Sequence, residues 1–182
     1  QLLKWLQSYF ETVWLWESGV QFQLLAPLNS MAAGIGGQTV HSWGAIKFQG
    51  FGGGLIDPGV HRSGEDNVEK MFTKCSRLRW LFIDECEAIG ASLANELEQS
   101  VLRGVPNKHS YRYHTRTDLI RLKGTTLRAF GGVNVFWVGD FYQLDPVGSV
   151  AFMGNPLSEA VRENAGVSNM MNRFWPSFED TS

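Results

Sequence analysis

The sequence predicts an α/β fold: a parallel sheet flanked by helices. Three near-continuous apolar runs, "VQFQLLAP" (Val20 to Pro27), "RWLFIDE" (Arg79 to Glu85) and "VNVFWV" (Val133 to Val138), read as strands covered on both faces. Stretches with helical apolar spacing separate them, which favours parallel pairing through crossovers. Two of the strands run directly into carboxylates, Asp84-Glu85 and Asp140. In an open parallel sheet that carboxyl edge is where ligands bind.

Each element follows from its own residues. "QLLKWLQSYFETVWLW" places Leu2, Leu6, Tyr9 and Val13 on one helical face, with Leu3, Phe10 and Trp14 beside them. It carries Lys4 and Glu11 and no basic leader, so it does not read as a signal peptide. The chain opens in mid-helix on Gln1, as a fragment would. After the first strand, "LNSMAAGIGGQTVHSWGAI" reads as a turn and a short helical segment. Residues 50 to 64 hold six of the twenty glycines and read as a loop. "NVEKMFTKCSRL" and "SLANELEQSVLR" read as helices, the second from Leu93, Leu97 and Val101. A short strand-like piece falls at Leu119 to Leu122, and residues 148 to 175 read as a loop and closing helix.

At 182 residues, 43% hydrophobic and 19% charged, the chain suits one ordinary domain with a sizeable core. A net charge of −2 gives no global basic signature, so nucleic-acid contact would need a local patch. Cys75 and Cys86 form no CxxC pattern, which supports neither a disulfide scaffold nor a zinc ribbon and fits a reducing intracellular setting. No stretch reaches the roughly 18 consecutive apolar residues of a membrane span, so no membrane contact is expected.

The acidic strand ends carry the chemistry. An aspartate there can hold Mg²⁺ directly or through water, and a neighbouring glutamate can polarise an attacking water. Alternatively, Asp84 caps the following helix and Glu85 is solvated. In "GDFYQL", Gln143 has both a donor and an acceptor and can touch a terminal phosphate and a water together, or simply bond to backbone. Pro146 stiffens the turn after it.

"GIGGQTVHSWGAI", "FIDECEAI" and "FGGVNVFWVGDFYQLDPV", in that order, resemble three consecutive motifs of the PIF-type DNA helicases, members of helicase superfamily one related to RecD. The resemblance spans roughly Gln23 to Val147, and "FGG" with "GDFYQL" is its most specific part. It implies a RecA-like domain over residues 1–182, truncated at its N-terminus and holding motifs Ia, II and III. It also implies ATP and Mg²⁺ as cofactors and single-stranded DNA as partner. The parent would be a monomeric motor serving repair, recombination or telomere maintenance in nucleus or mitochondrion. Residue by residue, Asp84 resembles the magnesium aspartate, Glu85 the catalytic glutamate and Gln143 the γ-phosphate sensor, while Asp140 organises its loop. The family's phosphate-cradling Gly-Lys-Ser/Thr string does not occur in the chain. Its expected place is just before Gln1, with a second motor domain after Ser182. The fragment alone is expected to be inactive.

Ala26 to Trp43 resembles motif Ia, which touches the DNA backbone. Thr39, His41 and Ser42 offer donors to phosphate oxygens, and Gly36 and Gly37 permit close backbone approach. His41 and Trp43 can equally be packed core residues. Phe141 and Tyr142 can stack on bases, a contact of about 1–3 kcal/mol each, or Phe141 can pack inward with Tyr142 over the nucleotide. Leu28-Asn29 stands where the family has Thr-Gly, and Asp145 where it has proline. Arg103 to Arg128 holds seven basic residues (Arg103, Lys108, Arg112, Arg116, Arg121, Lys123 and Arg128), either a phosphate-tracking patch or a solvated connection. The alternative to a working motor is a degenerate, non-catalytic domain that binds single-stranded nucleic acid.

Overall fold

The computed structural model describes residues 1–46, 48–49, 55–56, 64–113, 127–140, 146, 150–151 and 159–174. Four strands, β1 (Phe22–Ala26), β2 (Gln38–Thr39), β5 (Trp80–Ile83) and β6 (Asn134–Trp137), form one sheet in the order β2-β1-β5-β6, and every pairing is parallel. A separate antiparallel pair joins β3 (Phe48–Gln49) and β4 (Leu55–Ile56). The expected α/β architecture is therefore present, with a short strand inside what the glycine content marks as loop. The strand-like piece at 119–122 lies outside the described residues.

Side-chain alternation sends the two faces of the sheet to different partners. Phe22 and Leu24 of β1 and Phe82 of β5 pack with Leu3 and Phe10 of α1 (Leu2–Thr12). Phe10 is the hub of that face, its ring 5.4 Å from Phe22 and 5.6 Å from Phe82. The helix differs from its sequence reading in one respect. Leu3 and Phe10 are buried, whereas Leu2, Tyr9 and Val13 are exposed, and the helix stops at Thr12. The apolar residues Leu2, Leu3, Trp5, Leu6, Tyr9 and Phe10 cover about half of this helix, wider than the face that is buried, so periodicity alone does not single out the buried stripe.

On the other face, Leu25, Leu81 and Ile83 meet α3 (Val40–Gly44), α4 (Gly64–Cys75) and α5 (Ala91–Gly104) through Val40, Trp43, Met71, Cys75, Leu97 and Val101. Leu97 and Val101 are buried as their spacing predicts, and α5 also buries Ala94 and Glu98. The Glu98 carboxylate accepts from the Phe130 backbone N–H at 3.3 Å. Phe130 and Gly131 sit at φ 49° and 61°, so a buried carboxylate holds the left-handed FGG turn just before β6. Helices α6 (Glu159–Arg162) and α7 (Ala165–Phe174) close the fold against α5. No helix among the described residues is long and apolar enough to cross a membrane.

Candidate active site

Strand β5 ends at Ile83, and both acids lie just beyond it. The Asp84 N–H donates to the Leu25 carbonyl at 2.9 Å, which keeps Asp84 on the sheet's carboxyl edge. Glu85 then turns out of the strand at φ 52°, ψ 47°. A left-handed residue with a Cβ costs about 1–2 kcal/mol, and here it starts the 3₁₀ turn Cys86–Ala88. The Cys86 N–H donates to the Val138 carbonyl at 3.0 Å, so this turn lies against the end of β6.

The carboxylates at this edge interact. Glu85 shares a side-chain hydrogen bond with Glu87, the first cause of a Glu85 pKa pushed up to about 7. Partial burial and the charges of Glu87, Asp84 and Asp140 act in the same direction. Burial raises the Asp84 pKa, a hydrogen bond from the Glu85 backbone opposes it, and the Glu87 charge adds to the rise. Glu87 itself is buried, and its Oε2 accepts from the Asp140 N–H at 3.2 Å. Sequence reasoning passed over Glu87. The signal available was its place as the third acid in "DECE", three residues after Asp84.

Asp140 is exposed on the turn after β6, its backbone N–H bonded to Glu87 and its charge acting on Glu85. Phe141, Tyr142 and Gln143 lie outside the described residues, so their expected parts in stacking and sensing remain proposals.

The motif Ia segment occupies the same edge. The parallel registers align Thr39 with Ala26, and Leu25 with Ile83. Two strand spacings, roughly 10 Å, therefore separate the Thr39 level from Asp84. The Thr39 Oγ1 accepts from the Ser42 N–H at 3.2 Å and caps α3, which still leaves the hydroxyl proton to donate. Ser42 is exposed and His41 half-buried, the His41 pKa lowered by burial. Trp43 is buried in the core, so of its two readings packing holds. The two glycines expected to permit close backbone approach differ from each other: Gly36 is exposed with open space where a Cβ would stand, and Gly37 is covered. Gly36 closes α2 (Asn29–Ile35) in the left-handed region at φ 68°, and a Cβ on Gly37 would stand 2.4 Å from the Leu24 carbonyl oxygen. Close approach at Gly37 thus serves the protein's own β1.

In the basic stretch, Arg112 and Arg128 differ in setting among the described residues. Arg112 is buried and its guanidinium donates to the Val105 carbonyl, while Arg128 is exposed and donates to the Tyr111 carbonyl at 3.4 Å. Arg116, Arg121 and Lys123 lie outside the described residues. Both cysteines are free and buried.

No group of three or more His, Cys, Asp or Glu side chains that could hold a metal occurs among the described residues. Mg²⁺ bound to a nucleotide takes one or two carboxylates plus phosphate and water oxygens. Asp84, a hard oxygen donor at the open edge, fits that demand.

No protein-family model matches the chain, and no curated protein sequence does. Among solved structures it is similar to Pif1 helicase from Bacteroides in complex with ADP-AlF3 and ssDNA, at 25% identity and a TM-score of 0.50, over 82% of this chain and 27% of that one. The chain has the RecA-like fold of part of a Pif1-type helicase. Two further similar structures are Bacteroides Pif1 bound to ssDNA, at 25% identity, TM-score 0.49, over 81% of this chain and 27% of that one, and Pif1 helicase from Candida albicans, at 25% identity, TM-score 0.48, over 90% and 30%. The chain thus spans under a third of the length of these Pif1 structures.

Proposed function

We propose that this chain is part of the first motor domain, over residues 1–182, of an ATP-dependent DNA helicase that moves on single-stranded DNA and unwinds duplex. The observation that carries the reading is the Asp84-Glu85 pair on the carboxyl edge of a parallel sheet, one turn from the β6 end and on the same edge as Thr39. The solved Pif1 structure with ADP-AlF3 and ssDNA supports a nucleotide and a single strand as ligands of this fold.

Asp84 is assigned to bind magnesium, which when present neutralises charge on the phosphates. Glu85 is assigned to orient water and take its proton. Gln143 is assigned to touch the γ-phosphate. Thr39, His41 and Ser42 are assigned to phosphate oxygens of the strand, and Phe141 and Tyr142 to its bases. The parent works as a monomer in DNA repair, recombination or telomere maintenance, in nucleus or mitochondrion.

The test is ATP turnover, with and without single-stranded DNA, by the full protein that carries this chain. Glu85→Gln should lower kcat by on the order of 100-fold or more while DNA binding persists. Turnover unchanged by both Glu85→Gln and Asp84→Ala would overturn the assignment. DNA binding with no turnover in the unmodified protein would instead identify a non-catalytic binding domain.

A further inference from the structure

The Glu87 carboxylate stands between the acid pair and the turn after β6. It is buried in the 3₁₀ turn Cys86–Ala88, where an apolar side chain would avoid the cost of desolvating a charge. A hydrogen bond from the Asp140 N–H at 3.2 Å meets that cost, and a second, to the Glu85 side chain, joins it when one of the two carboxyls holds a proton. The facing chain is shaped to admit it. A Cβ on Gly139 would lie 2.1 Å from Glu87 Oε2, 2.8 Å from Cys86 Sγ and 3.0 Å from the Cys86 nitrogen. The Cys86 N–H to Val138 carbonyl bond forms the adjoining rung. Carboxylate, glycine and rung thus form one joint between two segments more than fifty residues apart in the chain.

We propose that Glu87 is a positioning residue that fastens the Glu85 turn to the Gly139-Asp140 turn. The inference rests on the functional reading above and deepens it. Gln143 follows Asp140 by three residues, so the joint fixes the origin of the segment leading to the sensor relative to the base. Glu87 touches no substrate in this role and acts through Glu85 and the Asp140 backbone. Glutamine keeps an acceptor for the Asp140 N–H and a polar partner for Glu85, whereas alanine keeps neither.

Two readouts test this. In the 182-residue chain, exchange of the Asp140 amide is followed by NMR, with Leu81 to Ile83 as internal controls for the core. Glu87→Ala should speed Asp140 exchange at least about tenfold with the core amides unchanged, and Glu87→Gln should stay close to the unmodified chain. In the full protein, Glu87→Ala should lower kcat for ATP by on the order of 100-fold at near-constant KM, with Glu87→Gln restoring most of it. Should Glu87→Ala also loosen the core, Gly139→Ala decides, because its methyl displaces the carboxylate without removing it and should expose the same amide. Unchanged Asp140 exchange in both alanine variants would refute the joint. Equal loss of kcat in Glu87→Gln and Glu87→Ala would refute positioning by hydrogen bonds. A full protein with no turnover would defeat the motor reading alone, since the exchange result stands by itself.

Discussion

Two ends of the same sheet edge are built on opposite plans. At the β5–β6 end the side chains expected to do chemistry are bonded to one another and across to a distant turn: Glu85 to Glu87, and Glu87 to the Asp140 backbone. At the β2–α3 end, Thr39 is bonded within its own turn, to Ser42. That turn rests on a scaffold fixed from beneath. The Lys74 Nζ donates to the Trp43 carbonyl at 2.7 Å and the Ser100 Oγ to the Gly44 carbonyl at 2.6 Å, so α4 and α5 hold the last carbonyls of α3. A charged cluster requires partners for its charges, whereas a backbone-and-hydroxyl surface needs only a rigid base. The first end should therefore respond to changes in side-chain bonding, the second to changes in backbone fit.

Glycine substitutions probe the contrast most strongly. A Cβ on Gly37 would meet the Leu24 carbonyl oxygen at 2.4 Å and carbon at 2.8 Å, backbone atoms of a central, buried strand. Neither can retreat without disturbing the pairing with β2 and β5, so Gly37→Ala should cost about 3 kcal/mol, the upper range for overpacking. At Gly139 the nearest atom is the tip of the Glu87 side chain, which can rotate away. Gly139→Ala should cost less in global stability, about 1 kcal/mol, although it breaks the joint. Urea unfolding of both variants measures the difference, and equal losses would contradict the two-plan account.

Next in size is the cap. Thr39→Ala removes the oxygen that accepts from the Ser42 N–H and should cost about 1 kcal/mol, whereas Thr39→Ser should restore most of it. The same pair of variants separates capping from DNA contact. If single-strand affinity follows the hydroxyl while stability is corrected for, Thr39 serves both purposes. A Thr39→Ala chain as stable as the original would show that the cap contributes nothing.

What was legible in the sequence follows the same division. The parallel sheet was readable because β5 is apolar on consecutive residues and β1 on all but Gln23, as suits a doubly covered strand. The acid pair was readable because it follows such a strand directly. Glu87 was not, because its value depends on a backbone N–H fifty-three residues away and on a glycine facing it. Glu98 is a similar case, a charged residue on an apolar helical face that becomes intelligible only beside the FGG turn. Gly37 was noticed for the right property, freedom from a side chain, but the surface approaching it is Leu24 of the protein itself. The buried stripe of α1 was obscured by an excess of apolar residues, six of which remain exposed between Leu2 and Leu15.

The smallest expected effect is electrostatic and belongs to the acid end alone. The Glu85 pKa stands at about 7 in the folded chain against an ordinary 4.5. Between those values the folded chain binds more protons than the unfolded one, so stability falls as pH rises. The contribution is complete below about pH 4.5 and is lost as pH passes through 7. Glu85→Gln cannot titrate at this position. The Tm difference between the original chain and this variant, measured without divalent cations, should therefore shrink in the original's disfavour from pH 5 to pH 8. Because Glu85 is partly exposed, solvent screens the interaction, and the change should amount to only about 1–2 °C. Thr39→Ala, at the other end, should leave this pH dependence intact. If Thr39→Ala altered it as much as Glu85→Gln does, the two ends would not be independent, and the roughly 10 Å between them would have to carry direct coupling between the β2–α3 turn and the acidic cluster.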